Sequence, residues 1–415
     1  MSTLNRNHDF AVLWIGQTVS ELGSQMSMFA FPLLAYALTH STLSAAVAEA
    51  AHLFGTSVAL LPAGVLADRV HRGRLMRVAS GSGVVLYASL VVAGMFGELT
   101  FAHLIVVAVL TGAGNGVFAP AEISAVRTVV PIEQLPTALS RNEARTHVAS
   151  LAGGPLGGAL YTITRWLPFL VDAVSYLISW VMLGRLRTDL APAARPERRR
   201  PRQDIVEGLR FTWRHPFLRV LLIWSAAANL VVNALFMAAI LRLIQGGFTP
   251  WSIGIVETAL GICGLLGALV APRIIARFAT GRLTVAVAWS FAPLLVPLIF
   301  WNNPAVVVVA LGAGIFLNPA GKAGIGSYRL AITPSELVGR VQSTSQFVGR
   351  STLSVAPIIG GGLLTLLGGP STMAILAVLI GVVALLPTLS NSVRSVPRPD
   401  EWTRPHAQER VPATV

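Results

Sequence analysis

Four ionisable side chains stand in stretches of this chain where almost nothing else carries charge: Glu21, Glu49, His52 and Arg350. In nonpolar surroundings an isolated charge is costly, so each must find a partner, reach water or exchange a proton. Glu21 lies well beyond Phe10, about 17 Å along a helix rising ~1.5 Å per residue, which is close to mid-bilayer depth. A carboxyl at that depth can load and release a proton, which makes Glu21 the leading coupling candidate; a carboxyl bonded to a neighbouring helix is the alternative. Arg350 needs an acid or carbonyls, with Glu49 its first-choice partner and Glu21 its second. His52, one helical turn from Glu49, is placed either to relay protons or to hydrogen-bond another helix.

Uncharged polar residues recur with helical spacing beside these groups. Gln17, Glu21, Ser24 and Gln25 form one stripe, and Ser225, Asn229 and Asn233 form another. Thr111, Asn115 and Glu122, then Asn318 and Lys322, extend the pattern to two further segments. Such faces belong against water or against each other, so Gln17, Gln25, Thr111, Asn115, Asn229, Asn233 and Asn318 are the candidate lining of a polar cavity. Singly, small polar residues of this kind also serve merely to bond neighbouring helices. A third constellation is the short corner "GVLADRVHRGRL", which places Gly64, Asp68, Arg69, Arg72 and Arg74 between two apolar stretches.

The elements that must carry these residues follow from composition. The chain has 415 residues, is 54% hydrophobic and 12% charged, and contains runs such as 78–97, 220–241 and 351–393 without any Asp, Glu, Lys or Arg. A helix needs about 20 apolar residues to cross the hydrocarbon layer. The runs are apolar on nearly every side, which excludes the alternating strands of a membrane β-barrel. Twelve spans are expected, near 10–37, 43–66, 75–97, 101–125, 142–164, 167–186, 217–242, 250–273, 282–301, 305–328, 340–366 and 370–390. The first is read as a retained span rather than a cleaved leader.

Net charge of +13 raises the question of nucleic acid. Placing both termini on the cytoplasmic side of the cell membrane puts 27 of the 31 basic residues there, so the basicity serves orientation and nucleic-acid binding is not expected. The histidines lack metal-ligand spacing, the single Cys263 permits no internal disulfide, and the surroundings of Lys322 lack the phosphate-cradling G-x-x-x-x-G-K-[ST] pattern. No metal and no cofactor is expected, and nothing suggests an enzyme.

The Arg- and Pro-rich stretch "RLRTDLAPAARPERRRPRQD" separates two sets of six spans, and at an offset of 203 Asn115 falls on Asn318 and the Pro131/Glu133 pair on Pro334/Glu336. The expected organisation is a first bundle over 1–186, a connector over 187–216, a second bundle over 217–390 and a disordered tail over 391–415. The fold class is therefore all-α integral membrane, with twelve transmembrane helices in two pseudo-twofold-related six-helix bundles.

The corner motif resembles the loop signature of the major facilitator superfamily, G-x-L-a-D-R-x-G-R-[RK], with His71 where Gly is usual and Gly73 at a basic position. "LWIGQTVSELGSQM", "VVPIEQLPTALSRNEAR", "LPFLVDAVSYLIS" and "EGLRFTWRHP" resemble its macrolide-efflux and enterobactin-exporter-like branch. "AGGPLGG" at 152–158 is similar to an antiporter motif with its proline displaced by one. The resemblance implies secondary active export of a small amphipathic molecule, coupled to protons, by alternating access in the lipid bilayer. It also implies that the Asp68 corner gates one of two packings by contacting the span that begins near Arg340. Facilitated uptake, lipid flipping and a non-transporting sensor or scaffold are the alternatives.

Overall fold

The protein is described by a computed structural model covering residues 7–131, 134–191, 209–333 and 337–401. Within these ranges the side chains at 60–69, 136, 330, 338–340, 342–344, 346–347, 350–351 and 400 lie outside the described set. Among the described residues all regular structure is helical. The helices are α1 (His8–Thr39), α2 (Thr42–Arg69), α3 (Arg72–Met95), α4 (Phe101–Val129), α5 (Leu135–Ile163) and α6 (Leu167–Leu183). They continue with α7 (Pro216–Gln245), α8 (Pro250–Arg277), α9 (Thr280–Trp289), α10 (Val296–Phe300), α11 (Pro304–Ile332), α12 (Val338–Leu367), α13 (Gly369–Leu389) and α14 (Asn391–Arg394).

Helix boundaries follow local chemistry. Proline opens α7, α8 and α11, where its missing N–H costs nothing. Gly97, Gly247 and Gly368 follow the ends of α3, α7 and α12 with φ of 76°, 76° and 75°, a conformation that suits glycine. Asn7 caps α1 by accepting from the Phe10 N–H at 3.1 Å, and its amide donates to the Val129 carbonyl at the end of α4 at 2.9 Å. Among the described residues, seven helical segments are long and apolar enough to cross a membrane by length and composition: α3, α4, α7, α8, α11, α13 and the stretch Thr280–Phe300.

Three sequence expectations change. The ninth expected span is not one helix: α9 stops at Trp289, a 3-10 turn covers Ala292–Leu294, and α10 resumes at Val296. Pro293 and Pro297 cannot donate the hydrogen bonds that would carry the helix through. Phe291 then seats against α11, where a methyl group in place of Gly314's hydrogen would meet its ring. The corner between the second and third spans is also tighter than expected, since α2 runs on to Arg69 and only Val70 and His71 connect it to α3. Finally, ordered structure does not end at 391. Residues Asn391–Arg394 form α14 and Pro399–Glu401 a 3-10 turn, anchored by Val393 and Val396, which are 1% and 3% exposed. Residues 402–415 of the expected tail lie outside the described residues.

The chain forms two compact units. Unit 1 is Met1–Arg199, Met237–Thr258 and Leu353–Gly368; unit 2 is Arg200–Phe236, Ala259–Thr352 and Gly369–Val415. Unit 1 thus holds α1 to α6 together with the far ends of α7 and α12 and the near end of α8. Its tightest crossing is α2 on α4, where a Cβ at Gly116 would sit 2.5 Å from the Thr56 carbonyl oxygen and one at Gly112 would collide with that of His52. Unit 2 is centred on an apolar cluster that includes Leu218, Trp224, Leu283, Val287 and Ala320.

Candidate transport site

Unit 1 contains a chain of polar side chains inside its apolar packing. Its deepest member is Asp172 on α6, 0% exposed. Burial of a carboxyl is tolerable only when its oxygens are occupied. Here the Ser175 hydroxyl donates to Oδ1 at 2.9 Å, Ser24 to the same oxygen at 3.5 Å, and Ser27 to Oδ2. Ser27 also reaches the Tyr87 hydroxyl at 3.3 Å, which brings in α3. Ser24 touches Tyr176 at 3.4 Å, and Tyr176 donates to Asn115 Oδ1 at 2.8 Å on α4. The rings of Phe31, Tyr87, Phe169 and Tyr176 pack around these groups with neighbouring centroids 5.4 to 6.3 Å apart. Gly23 permits the contact, because a Cβ there would lie 2.7 Å from Asp172 Oδ1.

One turn back along α1 the chemistry becomes ionic. Gln25 Nε2 donates to Glu21 Oε1 at 3.1 Å, and Glu21 lies within electrostatic reach of Arg145 and Glu122. Those two form an ion pair of 3.0 Å between α5 and α4, with side chains only 5% and 13% exposed. Glu122 pairs with the guanidinium directly, and Glu21, bonded to Gln25, feels the charge of both. The sequence analysis places Glu122 on a polar helical face and does not single out Arg145, so the pair is not anticipated. Its signal was that the expected fifth span, 142–164, already contained Arg145.

The remaining expected residues separate. Gln17, 6% exposed, donates to Ser179 Oγ at 2.9 Å, and Thr111, 3% exposed, bonds the Val107 carbonyl at 2.8 Å. Each is taken up by packing inside unit 1, where a small polar side chain answers a neighbouring dipole. His52, 7% exposed, sits between α2 and α4 with Thr111 Oγ1 3.5 Å from Nδ1 and the Phe31 ring 6.1 Å away. Asn115 and Gln25 stay half-buried beside Tyr176 and Glu21. In unit 2, Asn229 and Asn233 are half-buried and donate to the Ser225 and Asn229 carbonyls at 2.8 and 2.7 Å, and Asn318 is half-buried on α11. The side chains of Gly64, Asp68, Arg69 and Arg350 lie outside the described set, and with them the Asp68 contact and the Glu49–Arg350 pair.

The rest of the corner is described. Arg72 Nη1 approaches Thr128 Oγ1 at 3.4 Å and Arg74 is exposed. His71, the departure from the loop signature, faces Asp189 Oδ1 at 2.9 Å, while the Arg72 N–H donates to the Leu190 carbonyl at 3.2 Å. The start of the connector therefore packs on this corner. It is also held by Asp9, which lies before the apolar stretch of α1 and accepts from the Arg187 and Thr188 N–H groups at 3.1 and 2.8 Å.

A seam at the opposite ends of the helices completes unit 1. Thr42 and Thr365 hydroxyls meet at 2.7 Å, Ser57 and Ser354 at 3.2 Å, and Thr258 donates to the Leu151 carbonyl at 2.7 Å. The "AGGPLGG" segment of α5 shows glycines on two sides. Gly157 is against α1, 2.8 Å from a would-be Cβ to the Met26 carbonyl, and Gly154 is against α8, 3.1 Å to that of Gly254. Glu257 Oε2 lies 2.9 Å from the same Gly154 position, and its carboxyl is close enough to that of Glu49 for the two to interact.

A helical membrane bundle with buried, partly compensated carboxyls and glycine-lined crossings defines a transporter rather than an enzyme. The Major Facilitator Superfamily profile matches residues 13–350, and the chain belongs to that family. The multidrug efflux pump Tap of Mycolicibacterium fortuitum is 30% identical over 397 residues, 88% of this chain and 93% of that protein. Tap of Mycobacterium tuberculosis (strain ATCC 25618 / H37Rv) is 27% identical over 342 residues, 77% of this chain and 78% of that one. Among solved structures, a bacterial homolog of the human lysosomal transporter Spinster aligns with TM-score 0.72 at 14% identity, over 95% of this chain and 98% of that one. A mutant of the nucleoside transporter NupG aligns equally well, with TM-score 0.72 at 12% identity, over 92% and 99%. These two likenesses concern the fold.

Proposed function

We propose that the protein exports small amphipathic organic molecules, cations among them, in exchange for protons by alternating access, with Glu21 as the coupling carboxyl. The observation that carries this reading is the imbalance around Arg145: Glu21 and Glu122 offer two carboxylates to one buried guanidinium. When both are ionised the group holds one uncompensated negative charge, which is costly in low dielectric. A proton relieves it, and so does the cationic end of a substrate. Two ligands that satisfy the same charge exclude each other, and mutual exclusion at one site is what exchange requires. Asn115 and Tyr176 supply hydrogen-bonding groups beside it, and the rings around them supply apolar surface.

The Tap relatives, named as multidrug efflux pumps, support export and a broad substrate range. Arginine placement supports the cell membrane with both termini in the cytoplasm. The alternation would part the Thr42–Thr365 and Gly154–Gly254 seam in one phase of the cycle and close it in the other.

The decisive experiment uses sealed vesicles with an imposed proton gradient and a fluorescent lipophilic cation. Glu21→Gln keeps expression and downhill substrate movement but loses accumulation driven by the gradient. Unchanged driven accumulation in Glu21→Gln removes Glu21 from the mechanism, and absence of flux in the wild-type protein under every gradient removes transport of this probe class.

A further inference from the structure

The segment that follows α13 folds back and builds a cleft within unit 2. Two residues, Phe278 and Ala279, separate α8 from α9, and the first amides of α9 are not left to water: the Thr280 N–H donates to the Pro397 carbonyl at 3.3 Å and the Gly281 N–H to that of Val396 at 3.1 Å. Gly281 admits the crossing, since a Cβ there would lie 2.6 Å from the Arg394 carbonyl oxygen. Val393 and Val396 join the apolar cluster around Leu283 and Val287. Docking is thus specified by backbone bonds and burial.

Its result is an accumulation of like charge. Arg277, Arg282, Arg394 and Arg398 line one cleft of about 320 Å³, with Glu401 the single carboxylate among its described lining residues. Arg394 is tied to Asn391, and among the described residues none of the four arginines forms an ion pair. Arginines spread over a surface suffice for membrane orientation; folding a chain back to gather four around a concavity does not serve that end. An anion inside the cleft would turn the repulsion into binding, and guanidinium groups match the oxygens of a phosphate in forked pairs. The cleft opens where α8 ends and α13 has just ended, which is headgroup depth once these two apolar helices are taken as membrane spans, and Phe278, 51% exposed, stands in its lining beside the arginines.

We propose that this cleft binds the phosphate of an anionic phospholipid headgroup, with Phe278 against the upper acyl region. The site is separate from the carboxyl cluster of α1, α4 and α5, and the proposal stands whether or not protons drive transport.

The test uses the purified full-length protein in detergent, followed by native mass spectrometry and thermal unfolding, with phosphatidylglycerol, phosphatidylcholine or inorganic phosphate added. Phosphatidylglycerol gives discrete adducts and raises the melting temperature, while phosphatidylcholine and millimolar phosphate do neither. The double variant Arg282→Gln/Arg398→Gln weakens lipid binding roughly 25-fold, as expected for two arginines near an anionic surface. Arg127→Gln/Arg214→Gln, at two exposed arginines elsewhere, leaves it unchanged. If the double variant does not fold, Arg398→Gln alone gives a roughly fivefold loss. Equal stabilisation by inorganic phosphate assigns the cleft to a free anion and overturns the lipid reading. Equal loss in both double variants reduces the effect to overall charge and overturns the site.

Discussion

At Arg145 the arithmetic of charge inside a bundle is visible in three side chains. Removing the guanidinium leaves Glu122 facing Glu21 with no cation, and breaking a buried pair from one side typically costs about 3–5 kcal/mol. Arg145→Gln is therefore expected to lower the melting temperature markedly, and adding Glu122→Gln to recover most of the loss, as a thermal-unfolding series in detergent would show. Failure of the second substitution to rescue would mean that Arg145 acts through packing alone. Little of this was legible in the chain itself. Glu21 stood out because it interrupts an apolar stretch, but Glu122 and Arg145 lie on different helices and their pairing depends on how α4 and α5 meet. Asp172 likewise gains its meaning from Ser24, Ser27 and Tyr87, which belong to other helices.

Among the helices, local signals were read well where chemistry is one-sided. Apolar length located the segments, and proline before or glycine after a run marked their ends. Proline within a run is ambiguous: Pro32 and Pro155 lie inside continuous helices, whereas Pro293 and Pro297 accompany a break. The difference lies in the neighbours, since in a bundle adjoining groups can satisfy the carbonyls that a proline frees. The seam of α2 with α12 yields a direct prediction. Thr42→Cys/Thr365→Cys, in a background with Cys263→Ser, places two thiols where hydroxyl oxygens stand 2.7 Å apart. Oxidation is expected to join them, to halt substrate flux in the vesicle assay, and to be reversed by a reductant. Full flux through the cross-linked protein would show that this seam does not part during transport.

At the scale of the whole molecule, the stretch that follows α6 is fastened to the start of α1. Burial alone would raise the pKa of Asp9, but the Thr188 hydroxyl, His8 and the Arg187 and Thr188 N–H groups outweigh it and hold the carboxyl at about 2. A carboxyl depressed on folding contributes stability above its unfolded pKa and loses that contribution as pH falls through the folded value. Relative to the ordinary aspartate value of 3.8, the contribution is of order 2 kcal/mol at neutral pH and fades between pH 3.8 and about 2. Asp9→Ala should therefore lower the melting temperature at pH 7 and have little effect near pH 2. Equal destabilisation at both pH values would assign the loss to packing.

The two-sided glycine segment of α5 has a further consequence. Where backbone meets backbone there is no side chain to trim, so Gly153, Gly154, Gly157 and Gly158 offer selection almost no neutral substitutions, whereas exposed Leu156 between them is free to vary. In a saturating mutational survey scored by transport of the probe cation, these four positions should stand out as intolerant, more sharply than the half-buried polar residues Gln25 and Asn115.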